Sequence, residues 1–253
     1  AMDWQDQGIV LAARRHGESS AIVTLFTRAR GRHLGLARGG AGRRGGGLYQ
    51  KGNLVVAHWR ARLAEHLGNY SCELVEPLGL VALDDPQRLE AIVAALSVLE
   101  SSMAEREVHV DLFDATVELL RRLAHPAAGE DGHEWPAVYV RWECRCLAEL
   151  GFGLDLSVCA ATGARENLRY VSPRSGRAVS AAAGAPLAEK LLRLPDFLAS
   201  EGAPTGAADI RAGLELTQYF LERHVLSPHG RRVPAARLRL LERWRRLANR
   251  STH

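Results

Sequence analysis

The sequence predicts an α+β chain, with a five-stranded small barrel in front and a mainly α-helical bundle behind. Three observations predict it. Apolar residues alternate with a period near two as far as residue 76, and follow a period near 3.6 from residue 84 onward. Gly, Ser and Asn turns cut the front part into short, evenly spaced segments. The 253 residues, 47% of them hydrophobic, suffice for one large domain or two to three small ones with a sizeable core.

The strand candidates come in order. GIVLAARR (8–15) ends in an HGES turn, and SAIVTLFT (20–27) follows. Arg28–Gly31 turns again, RHLGLARGG (32–40) is third, and GAGRRGGG reads as loop. NLVVAHWRA (53–61) and GNYSCELVE (68–76) complete the five. An oligonucleotide-binding (OB) type barrel is one natural closure. An SH3-like barrel fits the same spacing. The helices are expected at 84–105, 110–125, 135–151, 207–226 and 233–248. The first has an Asp N-cap followed by an early Pro. Leu89, Ile92, Val93, Leu96 and Leu99 form its apolar stripe.

Charge is distributed unevenly although the formal net is only +4. Residues 1–64 carry eleven basic and three acidic groups, and residues 19–64 hold no acid. Residues 65–135 carry four basic and fifteen acidic groups, and residues 228–250 hold eight arginines against Glu242 alone. Basic regions flanking an acidic middle speak to partners, with nucleic acid first. The candidate phosphate-binding residues are Arg14, Arg28, Arg30, Arg32, Arg38, Arg43, Arg44, Lys51 and Arg60, with Arg62 extending the patch. Arginine forks match phosphate oxygens. Even spacing of Arg30, Arg32 and Arg38 predicts one shared strand face. Arg43 and Arg44 fall on the expected loop. The bland alternative is a basic surface that only solubilises. GAGRRGGG lacks the terminal GK[ST] of a P-loop. His33, Tyr49, His58, Trp59 and Tyr70 interleave with the charges, and Trp59 and Tyr70 read as core. The C-terminal arginines, Arg231, Arg232, Arg237, Arg239, Arg243, Arg245 and Arg246, read either as a binding surface or as a solvated amphipathic helix.

No catalytic constellation emerges. The ten histidines are scattered, and zincin and GxSxG patterns are absent. Asp84–Asp85 and Asp111/Asp114 read as helix-start and solvated charges. Cys144 and Cys146, two apart on a helix, point to different faces and read as packing residues. Four cysteines without a leader suggest a reducing, cytoplasmic setting. No apolar run reaches the roughly 18–20 residues of a membrane span. Ala1 ahead of Met2 reads as an expression remnant.

GIVLAARRHGESSAIVTLFTRARGRHLGLARGG, RWECRCLAELGFGLDLSVCAATG and RYVSPRSGRAVS, in this order, resemble the bacterial recombination mediator family RecO. The resemblance covers nearly the whole chain. It implies a non-enzymatic DNA repair protein, cytoplasmic and nucleoid-associated. Such a protein binds single- and double-stranded DNA, anneals strands, and assists RecA loading on strands coated by SSB. It implies RecR and the acidic SSB C-terminal tail as partners, with Arg141 matching the basic residue that receives the tail. It also implies an OB-type barrel over 1–80, a helical domain in two parts (81–156 and 186–253) and a zinc-finger-like insert over 157–185. The chain departs from the family there. Cys159 stands where a Cys-x2-Cys pair would start, but Thr162 holds the partner position, and Ser180–Ala183 contain no cysteine. One thiolate cannot make a four-ligand site, so no metal and no other cofactor is expected. Tyr170, Val171 and Pro173 are expected to pack the remnant instead. Two rival readings are an RNA-binding OB-barrel protein and a helical scaffold docking an acidic protein; a nuclease is third.

Overall fold

The computed structural model describes residues 2–80, 83–130, 132–203 and 205–251. It forms two compact units, residues 1–127 and 128–253.

The first unit is built on a closed barrel with strand order β1-β2-β3-β5-β4: β1 (Met2–His16), β2 (Ser20–Thr27), β3 (Gly31–Ala37), β4 (Leu54–Ala61) and β5 (Asn69–Glu76). The long β1 makes closure possible. Its second half pairs with β2 and its first half with β4, and a register shift between Val10 and Ala12 bends it. β3 and β5 meet in parallel at Leu36 and Asn69. This order is the OB-type closure rather than the SH3-like one. Inward alternation buries Val10, Val23, Leu25, Val55, Ala57, Trp59 and Tyr70 together.

The stretch expected to be loop contains a short helix, α1 (Arg43–Leu48). Three glycines in six residues make it a poor helix by propensity, so other contacts must hold it. The Asn53 amide donates to the carbonyls of Gly47 and Leu48 at 3.0 and 3.1 Å, satisfying its C-terminal end. Gly45 lies against the backbone of Gly39 and Gly40, where a Cβ would collide. Buried Tyr49 ties the helix into the barrel core.

Helices α2 (Pro86–Ser102) and α3 (Val110–Ala124) belong to the same unit as the barrel. Asp85 caps α2, accepting from the Gln87 and Arg88 amides. Ile92, Leu96 and Leu99 are buried as the stripe requires, with Leu89 and Val93 half-buried. Phe113 of α3 meets Phe26 of β2 edge-on at 5.4 Å. Between the helices, Arg106 N donates to Arg32 O at 2.8 Å, extending β3 by one bridge. Gly31, at φ +68°, lets the Glu107 backbone come this close. The sequence changes period after residue 80, but compactness divides the chain at 127, because α2 and α3 bury their apolar faces within the barrel's unit.

The second unit packs α4 (Glu134–Glu149), α7 (Ala207–Phe220) and α8 (Ala235–Arg250), with a π-helical turn over Leu221–Leu226 after α7. Its centre is polar. Glu143 and Arg237 are both fully buried and form a bidentate pair at 2.6 and 2.8 Å. The Thr217 and Tyr139 hydroxyls donate to the same carboxylate at 2.6 and 3.0 Å. Arg237 also donates to Leu214 O at 2.8 Å. Arg237, expected among the surface arginines of the C-terminal helix, is therefore a core residue.

A small three-stranded sheet, β6 (Leu168–Val171), β7 (Ala178–Ser180) and β8 (Leu192–Arg193), with the short helices α5 (Ala181–Gly184) and α6 (Asp196–Ala199), begins within the expected insert 157–185 and runs beyond it. Cys159 is buried beside it, and Ser180 N donates to its sulfur at 3.2 Å. Hydrogen bonds from the Thr162 side chain and the Ser180 backbone lower the thiol pKa to about 6. Val171 is buried and Tyr170 and Pro173 half-buried. Among the described residues no group of three or more His, Cys, Asp or Glu is placed to hold a metal ion.

Candidate nucleic-acid interface

The candidate arginines of the barrel fall into three environments. The first lies toward α2 and α3. Arg28 makes a two-pronged bond to Asp114, Nε to Oδ1 at 2.9 Å and Nη2 to Oδ2 at 3.0 Å. The hydrogen bond from Arg28 holds the Asp114 carboxyl below its usual range. Arg14 reaches Glu100 at 3.0 Å. Arg32 is half-buried, and its Nε donates to Met103 O at 3.0 Å. The acidic middle of the sequence is thus partly consumed inside the unit. Residues 1–127 contain fifteen groups of each sign, so this unit has no net formal charge.

The second environment surrounds Trp4. Arg30 lies over the Trp4 ring at 5.6 Å, and Trp4 stacks on Trp59 at 5.6 Å. Arg60 meets Asp3 at 3.4 Å on the outer face of β4 and β1. Trp59, Tyr70, Tyr49 and His33 are buried, so none is a free stacking platform, while His58 is exposed. His33 shares a 3.1 Å hydrogen bond with the Tyr70 hydroxyl. Burial, with the nearby Arg106 charge, lowers its pKa to about 4.

The third environment is the end of the barrel formed by the β1–β2 turn, the turn after β3, and α1. Ala41 N donates to Ser19 O at 3.0 Å, joining the two turns. Arg15 pairs across to Ala21, and Ala21 to Ala37, so Arg15 and Arg38 lie near the same end of β1 and β3, the strands that flank β2. Arg38, Arg43 and Arg44 are exposed, and none makes an ion pair with a described residue. Lys51, in the turn leading from α1 to β4, is also exposed.

The expected single face of Arg30, Arg32 and Arg38 does not form. β3 spans only Gly31–Ala37, so Arg30 and Arg38 sit in the turns at its opposite ends, roughly 26 Å apart along an extended strand. Arg32 faces the 103–106 connection. Two residues of this surface were not among the candidates: Arg15 and Trp4. Arg15 follows Arg14 in a strand, and strand alternation alone would turn one of the two inward; near the hairpin end both are exposed. Arg15 instead donates to the Gly17 and Glu18 carbonyls and shapes the turn.

In the second unit Arg141 is exposed on α4. It donates to Phe197 O at 3.0 Å and lies over the Phe197 ring at 5.4 Å. Among the described residues no helix is long and apolar enough to cross a membrane.

Two protein-family models match the chain: recombination protein O N terminal over residues 2–78, and recombination protein O C terminal over residues 83–232. Proteins named DNA repair protein RecO are similar over nearly the full length. That of Rhodospirillum rubrum is 49% identical over 246 residues, covering 97% of each chain. That of Rhodospirillum centenum is 45% identical over 247 residues, covering 97% of this chain and 96% of its own. That of Rhizobium etli is 49% identical over 240 residues, covering 93% and 90%.

Proposed function

The chain belongs to the RecO family of DNA repair proteins, and from that premise we propose that it is a non-enzymatic recombination mediator. It binds single- and double-stranded DNA, anneals complementary strands and assists RecA loading on SSB-coated DNA, working in the cytoplasm at the nucleoid. The observation that carries the reading is the group of exposed Arg38, Arg43 and Arg44, without a described carboxylate partner, at one end of an OB-type barrel. A barrel end of this kind neutralises phosphates and releases counterions with little regard to sequence. Shielded strands then approach one another more easily.

The remaining candidates take graded roles. Lys51 extends the surface, while Arg30, at the other end of β3 over the Trp4 ring, offers a separate contact. Arg14, Arg28 and Arg60 hold carboxylates in exposed pairs, which cost little to exchange for phosphate. Arg32 contributes least, being tied to a backbone carbonyl. Arg141 receives the SSB C-terminal tail: its exposed fork, which reaches Phe197 O, holds the terminal carboxylate. RecR is the further partner.

The test has two arms. Labelled complementary DNA strands should anneal faster with the protein than without it, and matched DNA should compete at least as well as RNA. Preference for RNA would favour the RNA-binding reading, since 2′-hydroxyl contacts would then be in use. Absence of salt-dependent DNA binding would favour the acidic-protein scaffold. For the second arm, Arg141→Ala should weaken binding of an SSB-tail peptide at least about tenfold, the scale of one charge-assisted bond; undiminished affinity would remove that role.

A further inference from the structure

Helix α8 begins after the stretch matched by the C-terminal family model, which ends at residue 232. One face is buried through Ala236, Arg237, Leu240, Leu241, Trp244 and Ala248. Arg239, Arg246 and Arg250 lie on the exposed side. At about 100° per residue, offsets of seven and eleven place these three guanidinium groups within an arc of about 40°. They mark a straight stripe about 16 Å long. None makes an ion pair with a described residue. The acids nearby serve Arg245 instead, which meets Glu215 at 3.1 Å and Glu242 at 3.9 Å.

We propose that this stripe is a second polyanion surface, taking the phosphodiester backbone of a nucleic acid strand independently of the barrel end. Arginine's planar fork matches phosphate and carboxylate alike, but two features favour nucleic acid over an acidic protein. The spacing of the three arginines along the axis, roughly 10 and 6 Å, corresponds to about three and two nucleotide steps of a helical strand. A docked protein segment would want apolar or aromatic anchors, and the exposed apolar residue of the helix, Leu238, lies about 100° away from the stripe. The inference deepens the proposed function, and rests on it for the identity of the ligand. Each chain would hold two strands, one per unit, as annealing requires.

The experiment uses the full chain and a short fluorescent oligothymidine. Four proteins are compared: wild type; Arg38→Ala/Arg43→Ala/Arg44→Ala; Arg239→Ala/Arg246→Ala/Arg250→Ala; and all six together. Alanine at exposed helix positions keeps the helix, and unchanged circular dichroism and unfolding midpoints would show it. Wild type should bind two oligonucleotides per chain, and the stripe variant one. The residual binding of the barrel variant should fall at least about tenfold in the six-fold variant, with a salt slope lower by about two for three lost single-strand contacts. Replacing the three arginines by lysine should restore most of this binding, since the charge is kept. Two oligonucleotides per chain and an unchanged slope in the stripe variant would overturn the proposal. So would loss of polyglutamate binding with DNA binding intact. If instead the barrel substitutions change nothing while the stripe substitutions do, the barrel assignment fails and the stripe stands.

Discussion

The centre of the second unit and the open end of the barrel use arginine in opposite ways. Arg237 is fully buried, with a carboxylate, a hydroxyl and a backbone carbonyl around it. Arg43 and Arg44 stand on a glycine-rich turn of helix, exposed, with no described carboxylate partner. Arg28, paired to Asp114 at the surface, lies between these extremes. A basic sequence segment therefore does not become a binding surface by composition alone. The first unit has no net formal charge, yet its charges are separated in space: the acids of α2 and α3 meet the arginines facing them and leave the far end positive.

The largest effect should come from the buried pole. Arg237→Ala strands a desolvated Glu143 and should destabilise the full chain by about 3–5 kcal/mol in urea unfolding. Replacing both partners, Glu143→Leu with Arg237→Met, should recover most of that loss. A cost under about 1 kcal/mol for the single change would break the comparison, because it would mean the centre is not sealed from water.

At the open pole, Arg38→Ala/Arg43→Ala/Arg44→Ala should reduce single-stranded DNA affinity on the order of thirtyfold at low salt. The unfolding midpoint should not move. The matched control, Arg14→Ala/Arg28→Ala/Arg60→Ala, should lose less than about fivefold, since those groups already hold carboxylates. Equal losses in the two triples would erase the distinction between open and paired arginines.

His33 reports on the barrel interior by pH. Its folded pKa of about 4 lies below the ordinary 6.5. Between these values the unfolded chain binds a proton that the folded barrel refuses, so stability falls as pH drops from 6.5 to 4 and levels off below. The loss should be about 1–2 kcal/mol once solvent screening is allowed for. His33→Gln should flatten that window; an unaltered pH profile would show that another group carries it.

The smallest effect sharpens the middle case. Asp114→Asn releases Arg28 and should raise DNA affinity about two- to threefold at low salt, vanishing at high salt. A fall in affinity would show that Asp114 positions Arg28 for DNA rather than occupying it.

Much of this fold was legible because strand alternation and helix periodicity are local. Strands β2–β5 and the five long helices lie close to where the periods place them, and the Asp85–Pro86 start of α2 follows capping chemistry; β1 starts at Met2 rather than Gly8, and its unexpected first half is the part that pairs with β4. Helix α1 was not legible. RRGGGL is a poor helix former because of its three glycines, and what stabilises it is an amide ten residues from its start and a backbone approach only glycine permits. Arg32 alternates as a strand residue should, but a segment some seventy residues later covers it. Glu143 and Arg237 are 94 residues apart, and nothing local distinguishes Arg237 from its exposed neighbours. At the site, sequence delivered the residue types and the block of missing acids. Which arginines would be neutralised depended on where α2 and α3 pack, which is tertiary information.

The most direct measurement is the slope of log affinity against log salt for single-stranded DNA, wild type beside Arg38→Ala/Arg43→Ala/Arg44→Ala. If the positive end of the barrel engages the backbone, the slope should become shallower by about two, as three lost phosphate contacts require. Parallel lines at equal affinity would contradict the account.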